Sequence, residues 1–349
     1  MESDRFRLLL DTPGPFASVY FADADDIDGA GAQVDLNWRA LRERLSQQGA
    51  DEAVTAEIEH AIMDLRPPIV RGGRALIAGA TGVVLNEHLL RPTAEPVVRV
   101  SELPYIVPIL QHGFEHSHYL LVVVDPTGAL ITTHTDVTRR SETVEADNGR
   151  ARELEAVADR VRELVHDASF DALFVVGDVS SRSDLLAALP ERVRERAMSL
   201  PIRVRRGGYD FEEIQRAVDA MLLRQRLSVT ESAAERFNAE VGRRSGLAAE
   251  GLDAVCSALR QGAVDTLIVG DIGDATVVAD QGLTTVAPNA DALSSQGVVP
   301  AKTLRADEAL PLMAICVGAS VVRTDERISP ADGVAALLRS GAPLHRLGV

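Results

Sequence analysis

The sequence predicts an α/β protein in three domains: an α+β first domain (residues 1–116), an α/β central domain (117–227) and an α–β–α sandwich (228–349). Three observations carry this. At 349 residues the chain can bury two or three separate cores. Short runs rich in β-branched residues alternate with segments of helical periodicity, the pattern of layered α/β domains. Pro- and Gly-bearing turns punctuate the chain where one pattern gives way to the next.

In the first domain, Phe16–Ala22 reads as a strand of β-formers, followed by an acidic loop with Asp23, Asp25, Asp26 and Asp28. Amphipathic helices follow near Leu36–Gln48 and Asp51–Leu65, the second stopped by Arg66-Pro67-Pro68. Arg74–Ala80 and Gly82–Leu90 form a hairpin around Thr81-Gly82, and Pro96–Val100 adds a strand.

In the central domain, two β-runs within Tyr119–His134 flank the turn Asp125-Pro126-Thr127-Gly128. The charged stretch Thr135–Glu155 leads into a helix ending near Val165. Phe170–Val179 is a buried-type strand, followed by helices at Ser183–Leu189 and Glu191–Met198 and a strand at Ile202–Arg206. Asp210 and Glu213 form a capping box for the helix Phe211–Leu227.

In the third domain, Leu252, Val255, Cys256 and Leu259 fall on one helical face. Gly262 supplies a left-handed cap, with Arg260 at the negative helix end. Val264–Asp271 and Ala275–Asp280 are strands and Asp307–Val317 a helix. Ala319–Thr324 and Gly333–Ser340 complete a strand–helix ending.

The net charge is −16, from 52 acidic and 36 basic residues, and Lys302 is the only lysine. Such a charge opposes casual binding to nucleic acid, but a local arginine patch can still dock RNA. DNA is not an expected partner. Cys256 and Cys316 lie in apolar helical contexts and read as small core residues. Without a disulfide framework, and without a signal peptide or an apolar run of ~20 residues, the expectation is a soluble cytoplasmic protein.

Lys302 has no glycine-rich loop before it, which excludes a P-loop. Gly270–Ala275 lacks the third glycine of a dinucleotide fingerprint, so Asp271 and Asp274 read as turn residues. His112, His116 and His118, beside Glu115, are either a zinc site or a polar domain junction. The Asp23–Asp28 carboxylates are either a Mg²⁺ site or a solvated loop. No Gly-x-Ser-x-Gly elbow is present, and no cofactor is expected. Arg139, Arg140, Arg150, Arg152, Arg203, Arg205 and Arg206 are the candidate RNA contacts, because guanidinium groups pair bidentately with phosphates. A solvated, ion-paired surface is the other reading of the same arginines.

Arg236–Asp271 and Ala306–Arg339 resemble the third domain of archaeal and eukaryotic peptide-chain release factors and Pelota. Gly14–Phe21, Gly73–Ala78, Val84–Leu90, Leu103–Leu110 and Arg305–Pro311 resemble the bacterial branch of that family, which includes Rv2629-type proteins and the ribosome hibernation factor Balon. The resemblance implies a first domain directed at the decoding centre, a central release-factor-like domain and an L7Ae-like third domain. It also implies occupancy of the ribosomal A site, with its rRNA and elongation factor Tu as partners, in hibernation or stalled-ribosome handling under stress. Peptide release in the family uses Gly-Gly-Gln. Here the glycine pairs are Gly72-Gly73-Arg74 and Gly207-Gly208-Tyr209, and the stop-codon motif Asn-Ile-Lys-Ser is absent. The central loop is also shorter than in close relatives. A factor without chemistry is therefore expected; the rivals are a peptidyl-tRNA hydrolase using another residue and an interaction scaffold that has lost ribosome binding.

Overall fold

The β-rich run at Phe16 becomes an inner strand of the first of four sheets in the computed structural model. The structure describes residues 6–22, 30–63, 72–113, 119–125, 128–134, 139–145, 150–167, 170, 172–200, 202, 210–324 and 327–339. Two units form: Met1–Gly113 together with Gln225–Val349, and Phe114–Arg224.

The first segment contains α1 (Arg7–Asp11), β1 (Phe16–Ala22), α2 (Ala30–Gln47), α3 (Glu52–Met63), β2 (Gly73–Gly79), β3 (Gly82–Leu89), β4 (Val97–Ser101) and α4 (Val107–His112). The antiparallel order is β3-β2-β1-β4. Alternation along β1 sends Ala17, Val19 and Phe21 toward Trp38, Leu41, Leu45, Ile58 and Ile62 of the two long helices. Phe16 and Tyr20 enter a second core on the other face. The β4 edge is closed by one side chain: Gln48 Nε2 donates to Val98 O (2.8 Å) and its Oε1 accepts from Val100 N (3.0 Å). The amide thereby fills the place of a neighbouring strand.

The central segment contains β5 (Tyr119–Asp125), β6 (Gly128–His134), β7 (Arg139–Glu145), α5 (Arg150–Asp167), β8 (Ala172–Gly177), α6 (Val179–Ala188), α7 (Glu191–Arg194), β9 (Ala197–Leu200) and the start of α8 (Phe211–Arg243), whose residues from Gln225 onward belong to the other unit. The order is β7-β6-β5-β8-β9, with β5, β8 and β9 parallel. Three expectations are corrected here. The charged stretch contains β7, an edge strand two of whose polar side chains have partners: Ser141 Oγ lies 3.1 Å from Thr132 Oγ1, and Arg160 pairs with both oxygens of Glu142 (2.6 and 2.9 Å). The helix expected through Met198 stops at Arg194, and Ala197–Leu200 is a strand; Ile202 is not in one, and Arg203–Arg206 lie outside the described residues. Finally, the helix opening at Phe211 does not stop at Leu227 but runs 33 residues to Arg243. Its start is as expected, with Asp210 Oδ1 accepting from Glu212 N (3.0 Å) and Glu213 N (3.2 Å).

The third segment contains β10 (Ala248–Glu250), α9 (Leu252–Arg260), β11 (Val264–Val269), β12 (Thr276–Ala279), β13 (Val286–Ala287), α10 (Ala290–Ser294), β14 (Lys302–Arg305), α11 (Ala306–Cys316), β15 (Ser320–Arg323) and β16 (Val334–Leu338). Its sheets are β10-β16-β11-β15, where β11 and β15 are parallel, and β13-β12-β14. The expected helix at Gly333–Ser340 is instead β16, paired on both sides, with Val334, Ala335 and Ala336 fully buried. Burial on both faces overrides the helix propensity of alanine. Cys256 is a core residue, but Cys316 is exposed at the end of α11, which corrects the reading of both as core. Gly262 takes the left-handed conformation (φ 61°), as expected. One hydrophobic cluster joins Phe6, Tyr20, Ile77 and Ile106 to Val255, Leu267 and Leu310, so the first and third segments share a core.

Candidate functional site

A polar cleft of ≈ 270 Å³ lies where β4 and the chain after it meet the third segment. Alternation along β4 places Arg99 opposite Ser18. The backbone of Tyr105 is pinned to β1, its N–H donating to Ser18 Oγ (3.0 Å) and its carbonyl accepting from the Tyr20 hydroxyl. The Arg99 guanidinium carbon sits 3.5 Å from the Tyr105 ring centroid, a cation–π contact. From the third segment, β11 runs into the loop Gly270–Ala275 and β15 ends at Arg323. These strands are parallel, so both finish on the same side, where crevices form in such sheets. β14 ends at Arg305, immediately before α11, whose first turn carries Asp307 and Glu308.

An ion-pair network ties these parts together. Arg99 donates to Asp307 Oδ2 (2.7 Å) and Glu308 Oε1 (3.4 Å). Arg305 clasps both oxygens of Asp307 (3.1 and 3.3 Å) while reaching Asp274 Oδ1 and Gly273 O (both 3.0 Å). Arg323 donates to the carbonyls of Val269 and Gly270. Lys302 pairs with Glu102 (2.7 Å). The Glu308 side chain is 2% exposed, and its burial pushes the carboxyl above its ordinary value, against hydrogen bonds from Ser101 and Arg99. Burial likewise raises the Tyr105 phenol, opposed by Arg99, so it stays a neutral donor at physiological pH. Asp307 and Glu308 both sit in the first turn of α11, where the helix dipole favours negative charge. Asp271 Oδ1 accepts from Gly273 N (3.2 Å) in a local turn, and Asp274 is the exposed partner of Arg305. The arrangement holds guanidinium groups in fixed orientations.

Four of the predicted RNA-contact arginines fall on described elements of the central unit. Arg139 and Arg140 are in β7, opposite His134 and Thr133, and Arg150 and Arg152 are in the first turn of α5. Arg203, Arg205 and Arg206 lie outside the described residues, as do Glu115, His116, His118 and the aspartates from Asp23 to Asp28. His112 ends α4, its pKa lowered by burial and then by Arg226 and Arg91. Among the described residues, no three His, Cys, Asp or Glu side chains are grouped to hold a metal, and no helix is long and apolar enough to cross a membrane. Sequence reasoning missed Arg99, Tyr105, Arg305 and Arg323. The available signal was the acidic pair Asp307-Glu308 opening an otherwise apolar helix beside Arg305.

Residues 145–243 match the model of the bacterial archaeo-eukaryotic release factor family 2. Two proteins of Mycobacterium tuberculosis, MT2704 (strain CDC 1551) and Rv2629 (strain H37Rv), are each 41% identical over 371 residues, covering 100% of this chain and 99% of their own length. Among solved structures, Archaeoglobus fulgidus Pelota aligns with TM-score 0.36 and 18% identity over 78% of this chain and 86% of its own. A ribosome-bound archaeal Pelota with ABCE1 aligns with TM-score 0.41 and 16% identity over 97% and 94%.

Proposed function

The chain belongs to the bacterial branch of the archaeo-eukaryotic release factor family, and from that membership we propose that it is a ribosome-binding translation factor without peptide-release chemistry. One observation carries the second half of this reading. The sequence contains no Gly-Gly-Gln, the tripeptide whose glycines allow close backbone approach and whose amide places the attacking water. Docking would then rest on shape and phosphate contacts, with A-site rRNA as the surface and a translation GTPase such as elongation factor Tu as an escort. The role would be hibernation or stalled-ribosome handling in the cytoplasm, using the central 117–227 domain and an L7Ae-like third domain. The seven predicted arginines are the proposed phosphate contacts.

Co-sedimentation with 70S ribosomes from stationary-phase cells at low salt is the test. Recovery in the ribosomal fraction, weakened steeply by added salt, is the expected result. A protein that stays in the ribosome-free fraction defeats the proposal. Incubation with ribosomes carrying labelled peptidyl-tRNA separates the hydrolase rival: the expected outcome is no release above background.

A further inference from the structure

We propose that the cleft between β4 and the carboxyl ends of β11 and β15 binds the phosphate group of a small phosphorylated ligand. Its arginines are not equally engaged. Arg305 is committed to Asp274, Asp307 and Gly273 O. Arg323 uses one terminal nitrogen on two backbone carbonyls and has no carboxylate partner among the described residues. Arg99 also bonds through one terminal nitrogen, and its remaining N–H groups have no partner among the described residues. Tyr105 lines the same cleft and carries a further donor in its hydroxyl.

Two partly used guanidinium groups and a phenol can serve the several oxygens of one phosphate from different directions, with more donors than a planar carboxylate can use. The counter-charges are mostly occupied, since Asp307 is held by two arginines and Asp274 by Arg305. Asp271 is the lining carboxylate without a cationic partner among the described residues, so it sets the like-charge penalty. The volume of ≈ 270 Å³ falls just under the ~300–1,000 Å³ of sites for drug-sized ligands, which suits a metabolite. Arg99 and Tyr105 come from the first segment and Arg323 from the third, so an occupant would bond across their seam. The proposal is independent of ribosome binding, and either can fail alone.

The test titrates the full chain with inorganic phosphate and, separately, glycerol 3-phosphate by calorimetry at constant ionic strength in chloride. Saturable binding with a Kd of about 1 mM or tighter is expected for both. Arg323→Gln should weaken binding about tenfold. Asp271→Asn keeps the acceptor for Gly273 N and should tighten phosphate binding about threefold by removing a like charge. If Arg323→Gln fails to fold, judged by its Trp38 fluorescence, Asp271→Asn decides alone. No saturable heat from the wild type, or phosphate affinity unchanged in Asp271→Asn, overturns the proposal.

Discussion

Replacing Asp219 by asparagine should stabilise the central unit, and the gain should grow with pH. Asp219 lies on α8, and its Oδ1 accepts from Gln215 Nε2 (3.0 Å), which also donates to the Tyr119 hydroxyl (3.2 Å). Tyr119 stacks on His134 with ring centroids 4.2 Å apart. Burial pushes the Asp219 carboxyl from its ordinary 3.8 up to about 6, with the Gln215 hydrogen bond pulling the other way. The folded state therefore holds this proton more tightly than the unfolded state. That contribution to stability is complete below about pH 4 and is lost as pH rises through about 6. The difference of about 2 pKa units corresponds to about 3 kcal/mol at neutral pH. Asparagine keeps the acceptor oxygen and has no proton to lose. Relative to wild type, Asp219→Asn should gain about 1 kcal/mol at pH 4.5 and about 3 kcal/mol at pH 7.5. Urea titrations read by hydrogen exchange at the β5 amides 120–124 report on this unit directly. An equal gain at both pH values, or a loss at pH 7.5, would refute the burial argument.

Gly333 has φ 70°, and a Cβ there would lie 2.0 Å from the carbonyl oxygen of Asp271. Gly333→Ala should therefore cost at least about 3 kcal/mol, read as a lower urea midpoint of Trp38 fluorescence, since the only tryptophan lies in the same unit. Gln48→Ala should leave Val98 O and Val100 N on an open edge, at a cost of about 1 kcal/mol. Light scattering should then rise with protein concentration, and an unchanged midpoint with unchanged scattering would remove the edge-closing role.

The legible parts of the fold were those in which local pattern and burial agree. β1 and the β2–β3 and β5–β6 hairpins follow apolar, β-rich runs bounded by turn residues. β16 was misread because Ala335 and Ala336 favour helix locally, while its pairing partners β10 and β11 lie far back in the chain. β7 was hidden by polar side chains whose partners lie on β6 and α5. The continuation of α8 was hidden because Leu227, Ser228 and Val229 are exposed, so no core-facing stripe marks that turn. The only local signature of the cleft was the acidic pair beside Arg305; its partner Arg99 was not legible because Arg99 and Asp307 are 208 residues apart. Guanidinium–carboxylate pairing across such a distance is a product of the tertiary fold.

The shared core of the first and third segments bears on the order of synthesis. Phe6, Tyr20 and Ile77 are made early, but Val255, Leu267 and Leu310 follow only after the central segment. At ~5–20 residues per second, about 10 to 45 seconds separate translation of Gly113 from completion of β16. During that interval one face of the nascent β1–β4 sheet lacks its covering, while residues 114–224 already have all their own strands. The inner unit can mature first, and the outer one must wait with apolar surface open to chaperones. A truncation that ends before Val334 keeps the early half of the core and forfeits the strand at the heart of the late half.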